Sequence, residues 1–127
     1  MLVLKRRDFA KWQAGENLPD SSLCDAIKEM EGGLIDADLG GFLYKKRIAR
    51  SGSGKSGGYR TLLSAKSGNS YVFLFGFAKS ARANVTTEEK KALRFAGKLF
   101  LELSSEALSL ALRAGTLEEI HCDQQHH

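Results

Sequence analysis

Nine lysines and arginines stand between Leu39 and Thr87 with no aspartate or glutamate among them. They include Lys45, Lys46, Arg47, Arg50, Lys55, Arg60, Lys79 and Arg82. The whole chain carries a formal charge of only +4, so the remainder, with ten basic against fifteen acidic residues, is net negative. Such polarisation is the footprint of a polyanion site, because neutralised phosphates release counterions and thereby drive association. The plainer alternative is a solvated basic face with no partner.

The basic stretch holds no Ser/His/Asp arrangement, no Cys/His pair and no metal-ligand spacing, which disfavours metal-dependent nuclease chemistry and calls for no cofactor. If RNA is cut there, the fitting route is attack of a ribose 2′-hydroxyl on the adjacent phosphorus. That route needs cations to stabilise the crowded phosphate and a group to move protons. A lysine among other cations has a lowered pKa and suits the second task, as does a tyrosine. Lys45, Lys46, Arg47, Lys55, Tyr59, Arg60, Lys79 and Arg82 form the available set.

The segment Gly54-Lys55-Ser56 invites comparison with the end of a phosphate-binding loop. The comparison fails, because position 49, where the first glycine belongs, is Ala49, and a strand rather than a helix is expected to follow. A glycine-rich loop that carries Lys55 towards a nucleic-acid backbone needs only backbone freedom and charge.

These side chains need a scaffold. Three β-rich runs, Phe42 to Ala49, Tyr59 to Lys66 and Tyr71 to Phe77, are separated by Gly/Ser-rich joints and read as an antiparallel meander. The joint from Arg50 to Gly58 contains four glycines and is expected to be exposed and mobile. The third run is apolar at nearly every position and should be central, covered on both faces. Alternation places Lys45 and Arg47 on one face of their strand and Lys46 on the other. A meander would gather Arg47, Arg60 and Lys79 on one surface.

Before the meander, a short strand at Leu2 to Lys5 precedes a helix bearing Phe9 and Trp12. A second helix carries Leu23, Ala26, Ile27, Met30 and Leu34 on one stripe. Together they suggest a helical hairpin. After the meander, Thr86 and Glu89 form a capping-box pattern before Leu93, Ala96, Phe100 and Leu103. A further helix runs from Ser104 or Ser105 to Gly115, its leucines available for core packing, a protein partner or another copy. A last short strand is expected from Thr116 to Ile120. The fold class expected is therefore α+β: an N-terminal helical hairpin on a small twisted antiparallel sheet, with one or two C-terminal helices.

A chain of 127 residues with 43% hydrophobic residues fits one domain, taken as 1–120, with a flexible tail at 121–127. No apolar run approaches the roughly 20 residues of a membrane-spanning helix. The N-terminal order, apolar and then Lys5-Arg6-Arg7, reverses that of a secretory signal, so the cytoplasm is the expected compartment. There Cys24 and Cys122 would stay reduced, Cys24 as a small buried hydrophobe. His121, His126 and His127 lie in the last seven residues and offer no catalytic candidate.

The segments Asp36-Ala37-Asp38-Leu39-Gly40-Gly41, Lys45-Lys46-Arg47-Ile48-Ala49-Arg50, Gly54-Lys55-Ser56-Gly57-Gly58-Tyr59-Arg60, Phe75-Gly76-Phe77-Ala78-Lys79-Ser80 and Arg82-Ala83-Asn84 carry a resemblance. In combination the chain resembles the HigB-like branch of the RelE toxins. The resemblance implies a two-helix hairpin against a small antiparallel sheet. It also implies a metal-independent endoribonuclease, an mRNA interferase acting in the ribosomal A site, neutralised by a cognate antitoxin. On this reading Lys55, Arg60 and Lys79 form the catalytic set. Lys45, Lys46, Arg47, Arg50, Tyr59 and Arg82 contact RNA. The better-known RelE toxins use a tyrosine near the C-terminal end, and this chain has none after Tyr71, which leaves the proton-transfer residue open.

Two other readings compete. A ParE-like toxin aimed at DNA gyrase would share the shape but not the clustered cations Lys55, Arg60 and Lys79. A non-catalytic module would merely dock on RNA or an acidic partner. The sequence leaves open a homodimer or a toxin–antitoxin hetero-oligomer.

Overall fold

The computed structural model describes residues 1–50, 54–66 and 70–122, and for residues 54–56 the backbone alone. Strand β1 (Leu2–Arg6) runs directly into helix α1 (Arg7–Gly15), which is followed by α2 (Asp20–Glu31). The chain then forms β2 (Ala37–Asp38), β3 (Leu43–Arg50), β4 (Gly54–Lys66) and β5 (Ser70–Ala78). Helices α3 (Thr87–Leu101) and α4 (Ser105–Ala114) and strand β6 (Leu117–Glu119) follow. The six strands make one sheet in the order β2-β3-β4-β5-β1-β6.

This architecture corrects the expected fold class. The sheet is mixed, because β1 pairs parallel with β5 and β6 closes antiparallel on β1. Nor is there an N-terminal helical hairpin on an antiparallel sheet: the chain starts as a strand, and helices cover both faces. The physical reason lies in Val3 and Leu4, both 2% exposed. Val3 enters the core under α1 and α2 with Phe9, Leu23, Ile27 and Phe73. Leu4 enters the core of the other face with Leu43, Leu62, Leu74 and Leu93. A strand buried on both faces belongs inside a sheet. Each fully buried Leu or Phe contributes roughly 1.5–3 kcal/mol.

Local signals set the helix ends on the far face. The Thr86 hydroxyl accepts from the Glu89 backbone N–H and the Glu89 carboxylate accepts from the Thr86 N–H, completing a capping box. Ser104 caps α4, and Gly115 ends it in the left-handed conformation with φ of 76°. Helix α3 approaches β4 closely at Gly97, where a Cβ would lie 1.8 Å from the Ser64 hydroxyl. Leu108, Ala111 and Leu112 of α4 pack against the far core.

Two further expectations need correction. Cys24 and Cys122 do not stand apart as thiols: their Cα atoms lie 5.4 Å apart and the side chains form a disulfide that ties α2 to the segment after β6. Residues far apart in sequence meet because β6 docks beside β1, next to α2. The glycine-rich joint is also shorter than expected. β3 and β4 continue pairing to Arg50 and Gly54, and Gly58 belongs to the ladder, its carbonyl accepting from the Lys79 N–H at 3.0 Å. The mobile loop expected at 51–53 and the flexible tail expected at 123–127, with His126 and His127, lie outside the described residues.

Candidate functional site

The β3–β4 ladder arranges the basic residues. Arg47 lies opposite Arg60 and Lys45 opposite Leu62. Arg60 in turn lies opposite Phe77 of β5. Opposed residues share a face, and Leu62 and Phe77 belong to the α3/α4 side. Lys45, Arg47 and Arg60 therefore start from the sheet on that same side, and the Arg47 side chain turns at the sheet edge to Asp36, where Arg47 also borders a pocket with Ser22, Asp25 and Glu29 of α2.

Each of these cations is held. The Asp36 carboxylate, just before β2, accepts from the Arg47 backbone N–H at 2.7 Å and from its Nε at 2.8 Å. Burial pushes the Asp36 carboxyl up, but the hydrogen bonds from Arg47 and the charges of Lys46 and Arg47 outweigh it and keep the pKa below its ordinary value. Lys45 Nζ donates to the Asn84 side-chain oxygen at 3.2 Å. Arg60 is only 9% exposed, with Nη1 3.5 Å from the Tyr59 carbonyl.

Arg82 joins the array from the segment after β5. Nη1 donates to one Glu89 oxygen at 3.0 Å, Nη2 donates to the other, and Nε donates to the Asn84 carbonyl at 3.0 Å. The Arg82 hydrogen bonds, with that from the Thr86 N–H, bring the Glu89 pKa down to about 2. The guanidinium lies over the rings of Phe75 and Phe77.

Other sequence-expected residues go elsewhere. Lys46 faces α2, fully buried, with Nζ 2.7 Å from Glu29 Oε1 and 3.9 Å from Asp36 Oδ2. The Glu29 contact is a close ion pair that falls short of hydrogen-bond geometry. Tyr59 is buried on the same side against Trp12, its hydroxyl 3.5 Å from the Glu16 carbonyl, and burial pushes its pKa up. Arg50 covers the Tyr59 ring and meets Glu16 at 4.0 Å. Lys79 is exposed just beyond β5. Lys55 lies in β4 by its backbone, and its side chain is outside the described residues.

The structure thus brings Lys45, Arg47, Arg60 and Arg82 to one side and sets Lys46, Arg50 and Tyr59 apart. The anchors Asp36, Asn84 and Glu89 were missed by sequence reasoning. Glu89 had a visible signal, its capping-box spacing, but nothing in the spacing says that its carboxylate also faces Arg82. Asp36 stands three residues before the acid-free stretch, and only the β2–β3 pairing carries it to Arg47. Among the described residues no cluster of three or more His, Cys, Asp or Glu side chains could hold a metal ion, and no helix is long and apolar enough to cross a membrane.

An α+β protein with a row of anchored cations on one sheet face is of the class suited to a polyanion. Residues 1–120 match the family model described as the RelE toxin of the RelE/RelB toxin–antitoxin system. The chain belongs to that family and is a RelE-like toxin of a toxin–antitoxin system, with an antitoxin as its partner. No curated protein matches it.

Proposed function

We propose that this toxin is a ribosome-dependent endoribonuclease that cuts messenger RNA and so stops translation. The observation that carries the reading is the Arg47–Arg60 rung, two guanidinium-bearing residues on one side of the sheet, beside Lys45 and close to the strand end that precedes Lys79. In this reading the ribose 2′-oxygen attacks the adjacent phosphorus, its proton passes to a base, and the P–O5′ bond breaks as the 5′-oxygen takes up a proton. The products are a 2′,3′-cyclic phosphate and a 5′-hydroxyl.

Arg60 and Lys79 stabilise the charge that builds on the phosphate oxygens. Lys55 is assigned the movement of a proton. Lys45 and Arg47 hold flanking phosphates. Lys46, Arg50 and Tyr59 drop out of the RNA-contacting set, because they face the other side of the sheet. The antitoxin neutralises the toxin by covering the cationic side with an acidic segment.

The test is cell-free translation with purified protein, wild type beside Arg60→Ala, reading protein output and the 5′-ends of the message. Cleavage within codons that needs both ribosomes and Arg60 supports the reading. Intact message with undisturbed translation overturns it.

A further inference from the structure

The hydrogen-bonding edges of Arg82 are already occupied. Both terminal nitrogens donate to Glu89 and Nε donates to the Asn84 carbonyl. A guanidinium whose fork is closed on a carboxylate presents little to a phosphate, since its directed donors point elsewhere and its charge is neutralised. What remains is one N–H on each terminal nitrogen and its flat surface.

The guanidinium carbon lies within cation–π range of two rings, 5.6 Å from the Phe75 centroid and 5.5 Å from that of Phe77. The Arg82 side chain nevertheless keeps 33% exposure. Its position is tied to the start of α3, because Glu89 also accepts from the Thr86 N–H at 2.7 Å. The unit also borders the cationic row. Asn84 receives Lys45 on its side chain, and Phe77 is the rung neighbour of Arg60.

We propose that Arg82, backed by Phe75 and Phe77 and locked by Glu89, is a stacking platform for one unpaired RNA base beside the cationic row. Proteins that bind single-stranded RNA stack splayed bases on aromatic rings and on arginine planes. Here the two kinds of surface adjoin, Arg82 lying over Phe75 and Phe77 with its side chain 33% exposed. The proposal rests on the RNA reading above and changes the role of Arg82 from phosphate contact to base contact.

The experiment is fluorescence titration of a short single-stranded RNA containing 2-aminopurine, at several salt concentrations, with wild type, Arg82→Lys, Phe75→Leu and Arg47→Ala. Arg82→Lys keeps the charge and loses the plane; it is expected to lose the quenching of 2-aminopurine and about tenfold in affinity, with an unchanged salt slope. Phe75→Leu, which leaves the Glu89 contact in place, should weaken quenching in the same way. Arg47→Ala should keep the quenching and lower the salt slope by about 0.7, as loss of one phosphate contact from a single strand does.

Wild-type quenching by Arg82→Lys, or a reduced salt slope in that variant, overturns the platform. So does a wild type that cleaves ribosome-bound message without binding or quenching the probe, an outcome that leaves the ribonuclease reading standing. A wild type that neither binds RNA nor cleaves message defeats both.

Discussion

Arg47 of β3 stands directly across the ladder from Arg60 of β4, so two like charges leave the sheet on a single rung. Like charges in opposed positions destabilise a sheet. Asp36 offsets that cost by accepting two hydrogen bonds from Arg47. A bound anion would offset it further, which is why this rung is the centre of the functional reading rather than any single cation.

Lys46 separates fold from function. It sits one residue from Arg47 yet is buried against Glu29. Lys46→Ala should cost roughly 2 kcal/mol of stability, less than a fully buried pair would, because Glu29 retains contact with water. The same variant should leave the salt dependence of RNA binding unchanged. Urea denaturation and RNA titration at several salt concentrations check the two halves.

Much of this was legible in the sequence. The alternation of Lys45, Lys46 and Arg47 already places Lys46 opposite its neighbours, and the acid-free stretch marks the cationic side. A short first strand, Leu2 to Lys5, was visible too, but not its destination. A five-residue strand with adjacent buried Val3 and Leu4 carries no periodicity to say that it pairs parallel with β5 inside a mixed sheet. The anchors were less legible, because Asp36–Arg47 and Glu89–Arg82 are contacts that only the strand register and the turn before α3 create.

Acid should loosen the start of α3. The folded Glu89 pKa is about 2 against an ordinary 4.5, so its contribution to stability is fully present above about 4.5 and is lost as pH falls towards about 2. Thermal melts of wild type and Glu89→Gln should therefore differ above that window and converge below it. A constant gap across the window would remove Glu89 from the account.

Gly97 marks the tightest approach of helix to sheet. Gly97→Ala gains helix propensity, but its Cβ would meet the Ser64 hydroxyl at 1.8 Å and the Ser64 Cβ at 2.7 Å, atoms of a short side chain that cannot swing away. A net loss of about 1–2 kcal/mol is expected. The measurement is the denaturation midpoint, and an unchanged or raised midpoint would show that α3 shifts freely on β4.

The disulfide joins residues 98 positions apart. Cross-linking so long a loop removes chain entropy from the unfolded state worth about 4.7 kcal/mol. Adding a reductant should lower the melting temperature of wild type and leave that of the Cys24→Ser/Cys122→Ser variant where it is. Equal responses of the two proteins would mean that the bond contributes nothing.

The chemistry itself is tested most directly by the ends of the cut message. Programmed ribosomes carrying end-labelled message are mixed with wild type or Arg60→Ala, and the termini of the fragments are identified. The account predicts a 2′,3′-cyclic phosphate and a 5′-hydroxyl, no cut where the attacking ribose is replaced by deoxyribose, and a loss of rate of at least about a hundredfold in Arg60→Ala. Fragments with a 3′-hydroxyl and a 5′-phosphate, or cutting that persists at the deoxyribose, would contradict it.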